Sequence, residues 1–274
     1  MAAAFLSVCI PTASAATSRV PAIKVDATVG GDSSMTAYTG HVIMIGSTTY
    51  VGLREFADRH SGSVVSWNEK TRTASVKANG LTLTAAVGGK YIIANERALL
   101  CPEGVFIEDG KTYVPLRAIA SAFGYRTEWN QSTFTASIIR EREVIESGAD
   151  HYQSSDLYWL SRIICAEAKG ESFEGKLAVG TVVMNRVRSS KFPNTVYGVV
   201  FDKAGGVQFT PASNGTIYNS PDADSIAAAK LCLDGASGMS EDILFFLNAK
   251  LSNSLWIPNN RRYVMTIGGH DFYA

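Results

Sequence analysis

Asp156-Leu157-Tyr158-Trp159-Leu160-Ser161-Arg162-Ile163-Ile164-Cys165-Ala166-Glu167-Ala168 is the stretch on which the reading of this chain turns. Leu157, Leu160, Ile163, Ile164 and Ala168 recur at helical spacing and form one apolar stripe. Ser154, Ser155 and Asp156 supply N-terminal cap chemistry, and Gly170 is placed to stop the helix. Glu167 lies three residues past Ile164, four past Ile163 and seven past Leu160, so it points with the stripe and not away from it. A carboxylate there is costly to keep charged unless it lines a cleft or has a partner. Burial against apolar groups raises a carboxyl pKa and makes it a proton donor near neutral pH, which is what glycosidic cleavage needs. A half-exposed Glu at a helix end fits the same spacing, so periodicity alone leaves both readings open.

Working outward, Gly175 to Val187 is nearly continuous in apolar residues and predicts a buried helix. Pro221 to Leu233 predicts a third, with Ser220 as N-cap, Pro221 at the first helical position and Gly235 as the stop. Ile243-Leu244-Phe245-Phe246-Leu247 is short, apolar and aromatic, a strand or a buried turn. On the other side, residues 139–154 are polar and charged, with Arg140-Glu141-Arg142-Glu143 and then Glu146 to Asp150. They read as a linker with a helical turn.

The N-terminal half contains an internal repeat. Thr49-Tyr50-Val51-Gly52-Leu53-Arg54, Ser66-Trp67-Asn68 and Thr73-Ala74-Ser75-Val76 recur as Thr112-Tyr113-Val114-Pro115-Leu116-Arg117, Glu128-Trp129-Asn130 and Thr135-Ala136-Ser137-Ile138. The offset is 63 residues at the Tyr and 62 at the Trp. Each copy predicts a hairpin, a short amphipathic helix and a second strand pair. In the second copy Asp109-Gly110 marks the hairpin turn, Leu116, Ile119, Ala120 and Phe123 form the helix face, Gly124 ends it, and Asn130 to Ser132 turns the strand pair holding Trp129 and Phe134. Arg54 and Arg117 are expected to brace turns, and Trp67 and Trp129 to pack in a core.

The 274 residues are globular in composition, 46% hydrophobic and 18% charged, and suit two domains that each bury a core. Net charge is zero and no basic run exceeds Arg261-Arg262, which argues against a nucleic-acid partner. Ala2 to Pro11 is apolar and Ala13-Ser14-Ala15 has the form of a signal-peptidase site, so residues 1–15 read as an atypical signal peptide lacking a basic start. The expected location is therefore secreted, in the cell envelope or spore. No 18-residue apolar run follows, so no membrane span is expected. Cys101, Cys165 and Cys232 remain after Cys9, without metal-ligand spacing, and no metal or cofactor is expected. Cys165 and Cys232 read as buried thiols.

Residues 38–138 resemble the copper-amine-oxidase N-terminal-like domain attached to many secreted proteins of Gram-positive bacteria, through the two Tyr-Val-x-Leu-Arg and Trp-Asn segments. No His cluster here suits copper, since His41 and His60 are isolated. The expected fold of this half is an α+β duplicated hairpin–helix–hairpin domain, in contact with the wall or an accessory protein.

Residues 155–274 resemble the SleB-type cell-wall hydrolases, the germination-specific lytic enzymes of spore-forming bacteria and their relatives. The likeness runs in order through Ala166-Glu167-Ala168, Gly170-Glu171, Gly175, Ala178-Val179, Val182-Val183-Met184-Asn185-Arg186-Val187, Phe192-Pro193-Asn194-Thr195, Val199-Val200-Phe201, Gln208-Phe209-Thr210, Phe245-Phe246-Leu247-Asn248, Trp256, Ile267-Gly268, His270 and Phe272. It implies a mostly α fold related to lysozyme and soluble lytic transglycosylases. It implies peptidoglycan as substrate, cut between N-acetylmuramic acid and N-acetylglucosamine, and spore cortex or cell-wall lysis. It puts Glu167 in the catalytic position, where a lytic transglycosylase uses one residue as acid and then as base. Glu171 is placed to help the acid or to brace the loop. Gln208, Phe209, Phe246, Asn248 and His270 resemble the cleft-lining set, amides suiting acetamido and hydroxyl groups and aromatics suiting sugar faces. Asn185 reads as structural. Gly205-Gly206-Val207 replaces a bulkier approach to Gln208, and Leu247 stands where an aromatic is frequent.

Other chemistries fit less well. A zinc amidase needs a cluster of His and carboxylates, and this half holds only His151 and His270. A cysteine peptidase needs an activated thiolate, best at a helix N-terminus, whereas Cys165 is near a helix C-terminus. A hydrolytic muramidase or glucosaminidase, or a non-catalytic wall-binding protein, is the alternative.

Overall fold

The computed structural model describes residues 25–28, 36–38, 42–130, 132, 135–204, 206, 208–248 and 256–274. The expected signal peptide at residues 1–15, His41, Phe134, Gly205 and Val207 lie outside them. The chain forms two compact units, and the division falls between His151 and Tyr152.

The N-terminal unit is mostly β. Its elements are β1 (Val25–Thr28), β2 (Thr36–Tyr38), β3 (Val42–Ile45), β4 (Thr48–Gly52), α1 (Leu53–Ala57), β5 (Val64–Asn68), β6 (Thr73–Ala78), β7 (Leu81–Ala86), β8 (Tyr91–Ala94), β9 (Arg97–Leu100), β10 (Phe106–Glu108), β11 (Lys111–Pro115), α2 (Leu116–Ala122), β12 (Tyr125–Asn130), β13 (Thr135–Arg140) and α3 (Gly148–His151). They form sheets of order β12-β13-β1-β2, β10-β11-β4-β3 and β5-β6-β7-β8-β9. The two Tyr-Val segments meet: β4 and β11 pair antiparallel, Val51 opposite Val114. Asp109 and Gly110 both take positive φ, 49° and 72°, as a two-residue hairpin turn of the primed type requires. Alternation along β6 and β7 puts Val76, Leu81 and Leu83 inside, against Leu53 and Phe56 of α1 and Leu116 and Ile119 of α2.

Three expectations need correction. Trp67 and Trp129 are not core residues; they are 38% and 40% exposed on β5 and β12. The helices α1 and α2 cover the sheets with smaller apolar groups, and the indole NH of Trp67 turns outward to Glu69. Arg54 donates to the carbonyl of Val65, but the Arg117 side chain has no hydrogen-bond or ion-pair partner among the described residues. Residues 139–151 are packed into this unit and do not run free. Ile145 is buried, its NH bonds Ala122 O, and Gly148 N bonds Asn95 O. Gly124 allows this: it sits at φ 79°, and any Cβ would strike the carbonyl of Arg142.

The C-terminal unit is mostly α, with α4 (Ser154–Ala168), α5 (Phe173–Arg188), α6 (Val196–Val200), α7 (Thr210–Asn214), a 3-10 turn Thr216–Tyr218, α8 (Ala223–Leu233), β14 (Phe245–Leu247), α9 (Trp256–Asn260), β15 (Tyr263–Ile267) and β16 (His270–Tyr273). The strands form an antiparallel sheet of order β14-β16-β15. α4, α5 and α8 pack against one another. At Gly180 a Cβ would come within 2.7 Å of Ile164 Cδ1 and 2.8 Å of Cys232 Sγ, so glycine sets how closely the helices approach. Cys101, Cys165 and Cys232 are free and buried, and burial pushes the Cys232 thiol up to about 12. Among the described residues no helix is long and apolar enough to cross a membrane.

The helix spans largely follow the sequence patterns, but the caps do not. Gln153 precedes α4 without a side-chain cap bond. Ser172 caps α5 through Gly175 N. α8 begins two residues later than its Ser-Pro signal suggests, because Asp222 caps it by accepting from Ser225 N at 2.7 Å.

Candidate active site

Glu167 occupies the last turn of α4, flanked by the buried residues Ile163, Ile164 and Ala168. It is half-buried, and among the described residues no hydrogen bond or ion pair reaches its carboxyl. Burial alone pushes its pKa up to about 7, with no neighbouring charge contributing. A carboxyl in this state still carries its proton in about half of the molecules at neutral pH and can give it away.

Glu171 follows after the break at Lys169 and Gly170, and its environment differs. Its Oε2 accepts from Gly269 N at 2.9 Å, and its Oε1 lies 3.8 Å from His270 Nδ1. Glycines make room for it. A Cβ at Gly268 (φ 59°) would fall on the carboxylate, one at Gly269 would come within 2.7 Å of Oε1, and one at Gly175 within 2.9 Å of the Glu171 Cβ. The Glu171 side chain therefore braces the turn between β15 and β16 onto the start of α5.

His270 is 3% exposed, and burial lowers its pKa, opposed by Glu171 and Asp271. Its ring meets Phe246 edge-on at 5.4 Å, and Phe246 lies 6.2 Å from Phe209 and 6.0 Å from Phe272. Phe209 is itself 3% exposed and immediately precedes α7. Asn248 follows β14, its Nδ2 within 3.1 Å of the place a Gly269 Cβ would take. Gln208 is turned into the protein: its Nε2 donates to Ala204 O and its Oε1 accepts from Arg186 Nη1 at 3.4 Å. Glu171, Phe246, Asn248 and His270 thus gather around one turn. Gln208 and Phe209 join them through Arg186 and Phe246.

Sequence reasoning missed two buried cations of α5, of which Arg186 ties Gln208 and Phe209 to β14. Arg186 is buried in α5, donates Nε to Leu244 O at 2.7 Å, and has the rings of Phe192, Phe209 and Phe245 within 4.9–5.4 Å of its guanidinium carbon. Burial pushes its pKa down to about 10, and Asp202 opposes that shift. Lys176 is equally buried and donates to both oxygens of Asp222, at 2.8 and 2.7 Å, and to Ser225 Oγ. The available signal was Lys176 and Arg186 inside the mostly apolar run from Gly175 to Val187. Asn185 is structural as expected, donating to Ser240 O and Ile243 O. Among the described residues no group of three or more His, Cys, Asp or Glu could hold a metal ion.

Two family models match the chain: Cell Wall Hydrolase over residues 170–273 and Copper amine oxidase N-terminal domain over residues 32–138. Glu167 stands three residues ahead of the first match. The spore cortex-lytic enzyme of Bacillus subtilis (strain 168) is 34% identical over 123 residues, 44% of this chain and 38% of the relative. That of Bacillus cereus is also 34% identical over 123 residues, covering 45% of the relative. The chain therefore spans less than half the length of these curated relatives. Among solved structures, the catalytic domain of the germination-specific lytic transglycosylase SleB from Bacillus anthracis is 31% identical, covers 47% of this chain and all of its own, and gives a TM-score of 0.41. The catalytic domain of the Bacillus cereus SleB protein is 32% identical, covering 45% of this chain and 92% of its own, with a TM-score of 0.40. The C-terminal half of this chain thus carries a cell wall hydrolase domain, and the N-terminal half a copper amine oxidase N-terminal domain.

Proposed function

We propose that this chain is a cell-wall glycosidase that cuts peptidoglycan glycan strands between N-acetylmuramic acid and N-acetylglucosamine, with Glu167 as its only catalytic carboxyl. The observation that carries this reading is the state of Glu167: half-buried, without a partner among the described residues, and protonated near neutral pH. The relatives' names, spore cortex-lytic enzyme and lytic transglycosylase, support the substrate class. Glu167 gives its proton to the glycosidic oxygen as the bond to the muramic acid C1 breaks. The resulting carboxylate then takes the proton of the muramoyl 6-hydroxyl, whose oxygen closes on C1 to form a 1,6-anhydro ring. Water is not consumed.

A hydrolytic route needs a second carboxylate, about 5 Å away for retention or ~6.5–9.5 Å for inversion. The bond from Gly269 N commits Glu171 to the 268–270 turn, which favours the route without it. In this reading Phe246, Asn248 and His270 shape the sugar-binding wall from β14 and β16, while Gln208 and Phe209 support it from the loop before α7. Spore cortex is the proposed wall, acted on outside the cytoplasm. The N-terminal unit, two hairpin–helix–hairpin copies of one plan, contributes wall contact.

The test is a pH profile. The active form is the protonated acid, so kcat/KM should fall tenfold per pH unit above about 7. A rate that stays level from pH 6 to 9 would overturn the role of Glu167. Stability carries the same signature. The folded-state pKa lies above the ordinary 4.5, so the folded chain holds the extra proton, and stability is full below 4.5 and falls as pH rises toward 7.

A further inference from the structure

The N-terminal unit contains a cleft of about 730 Å³ that the proposed chemistry does not use. Arg59, Arg140 and Arg142 are exposed around it, over buried Phe123 and Tyr125. A second cleft of about 280 Å³ shares Tyr125 and Glu141 with the first and adds Arg117 and Arg126. The two therefore adjoin, and along them five arginines face only two glutamates, Glu141 and Glu143. Arg126 and Glu141 take each other out of that count, since Arg126 Nε donates to Glu141 at 2.9 Å and its Nη1 also pairs with Glu128.

The scaffold beneath is fixed. His60 is held between Phe56 O at 3.2 Å and the Tyr125 hydroxyl at 3.0 Å, with its ring stacked on Phe123 at 4.2 Å. Burial lowers its pKa, and Arg140 and Arg59 lower it further, so it adds no charge at neutral pH. Arg140 lies over the Tyr125 ring at 5.4 Å and donates to the carbonyls of Arg142 and Glu143, which holds the 140–143 backbone along the rim. The guanidiniums of Arg117 and Arg142, by contrast, have no hydrogen-bond or ion-pair partner among the described residues.

We propose that this arginine-lined track is a binding site for an anionic cell-wall polymer, gripping repeated carboxylate or phosphodiester groups. Arginine's planar fork suits both groups, and no lysine lines either cleft. Two adjoining clefts with guanidiniums spread along them suit an extended chain better than one small anion. That the polymer belongs to the wall rests on the proposed function of the C-terminal unit; the anion site itself does not.

The experiment measures sedimentation of the full chain with purified cell walls. It is carried in a Glu167→Gln background so that the walls survive. Arg117→Glu/Arg142→Glu changes exposed side chains only and should keep the melting temperature of the parent. It should lower wall affinity about tenfold at ~0.1 M salt, with the difference shrinking as salt screens the charges. With Glu167 restored, the same double variant should cleave short soluble glycan fragments at the parental rate, so failure of the cleavage reading would show separately. Walls stripped of phosphodiester polymers by hydrofluoric acid, and walls with amidated carboxyls, separate the two sources of charge. Loss of the affinity difference in one treatment assigns that group. Equal affinity of parent and double variant on untreated walls, or a difference that survives both treatments, would overturn the proposal.

Discussion

Glu167→Gln is expected to lower the rate of glycan cleavage by about 10²- to 10⁴-fold, the usual contribution of one positioned acid, or by more because the same group serves both steps. The amide keeps the size and most of the hydrogen-bonding capacity of the carboxyl but has no acidic proton. The variant should be at least as stable as the parent, and more so above pH 7, where the parent must hold a charged carboxylate in a half-buried position. The combination is diagnostic: activity falls while the melting temperature holds or rises. A variant that lost both would mark Glu167 as a packing residue, and full activity would remove it from the mechanism.

The largest expected effect on stability lies elsewhere, at Asp222. Its carboxylate caps α8 through Ser225 N and receives two bonds from the buried ammonium of Lys176. Burial is the largest single influence on its pKa and acts upward. The combined bonds from Lys176 and Ser225 outweigh it, leaving the pKa below the usual value. Asp222→Ala strips the cap and leaves Lys176 uncompensated inside the helix layer. The expected cost is about 3–5 kcal/mol, of which about 1 is the cap. For a unit of this size that lowers Tm by on the order of 10–20 °C. Lys176→Met in the same background should recover most of the loss, because the uncompensated charge is then gone. Urea unfolding of the four proteins of this cycle measures both effects. A loss under 1 kcal/mol for Asp222→Ala would show that the pair is not what holds α5 to α8.

The sequence makes some of this visible and hides the rest for identifiable reasons. The phase of α4 was legible because Leu160, Ile163 and Ile164 all bury on the face that carries Glu167. The Asp109-Gly110 turn was legible because its backbone geometry admits few other residue types. The α8 cap was misplaced because Ser220-Pro221 is a good local signal, while the role of Asp222 comes from Lys176, 46 residues away in sequence. Trp67 and Trp129 were expected inside because large aromatics usually are, but the sheet face they occupy stays open to solvent. β7, β8 and β9, lying between the repeated segments, and β15 and β16 were not foreseen: each has only four to six residues, and β7 was overlooked although its Leu-Thr-Leu-Thr alternation was visible. Glu171 was left between two roles. Its geometry depends on Gly268 and Gly269, almost a hundred residues further on, and no local pattern encodes that contact.

In the proposed mechanism Glu167 alone cleaves the glycan strand, and a sugar hydroxyl, not water, completes the reaction. Digestion of purified cortex peptidoglycan in isotopically labelled water, followed by mass spectrometry of the released muropeptides, tests it most directly. The expected products have 1,6-anhydro ends, lighter by one water than reducing ends and carrying no label. Reducing ends carrying labelled oxygen would contradict it and would require a second carboxylate, with Glu171 the first to substitute.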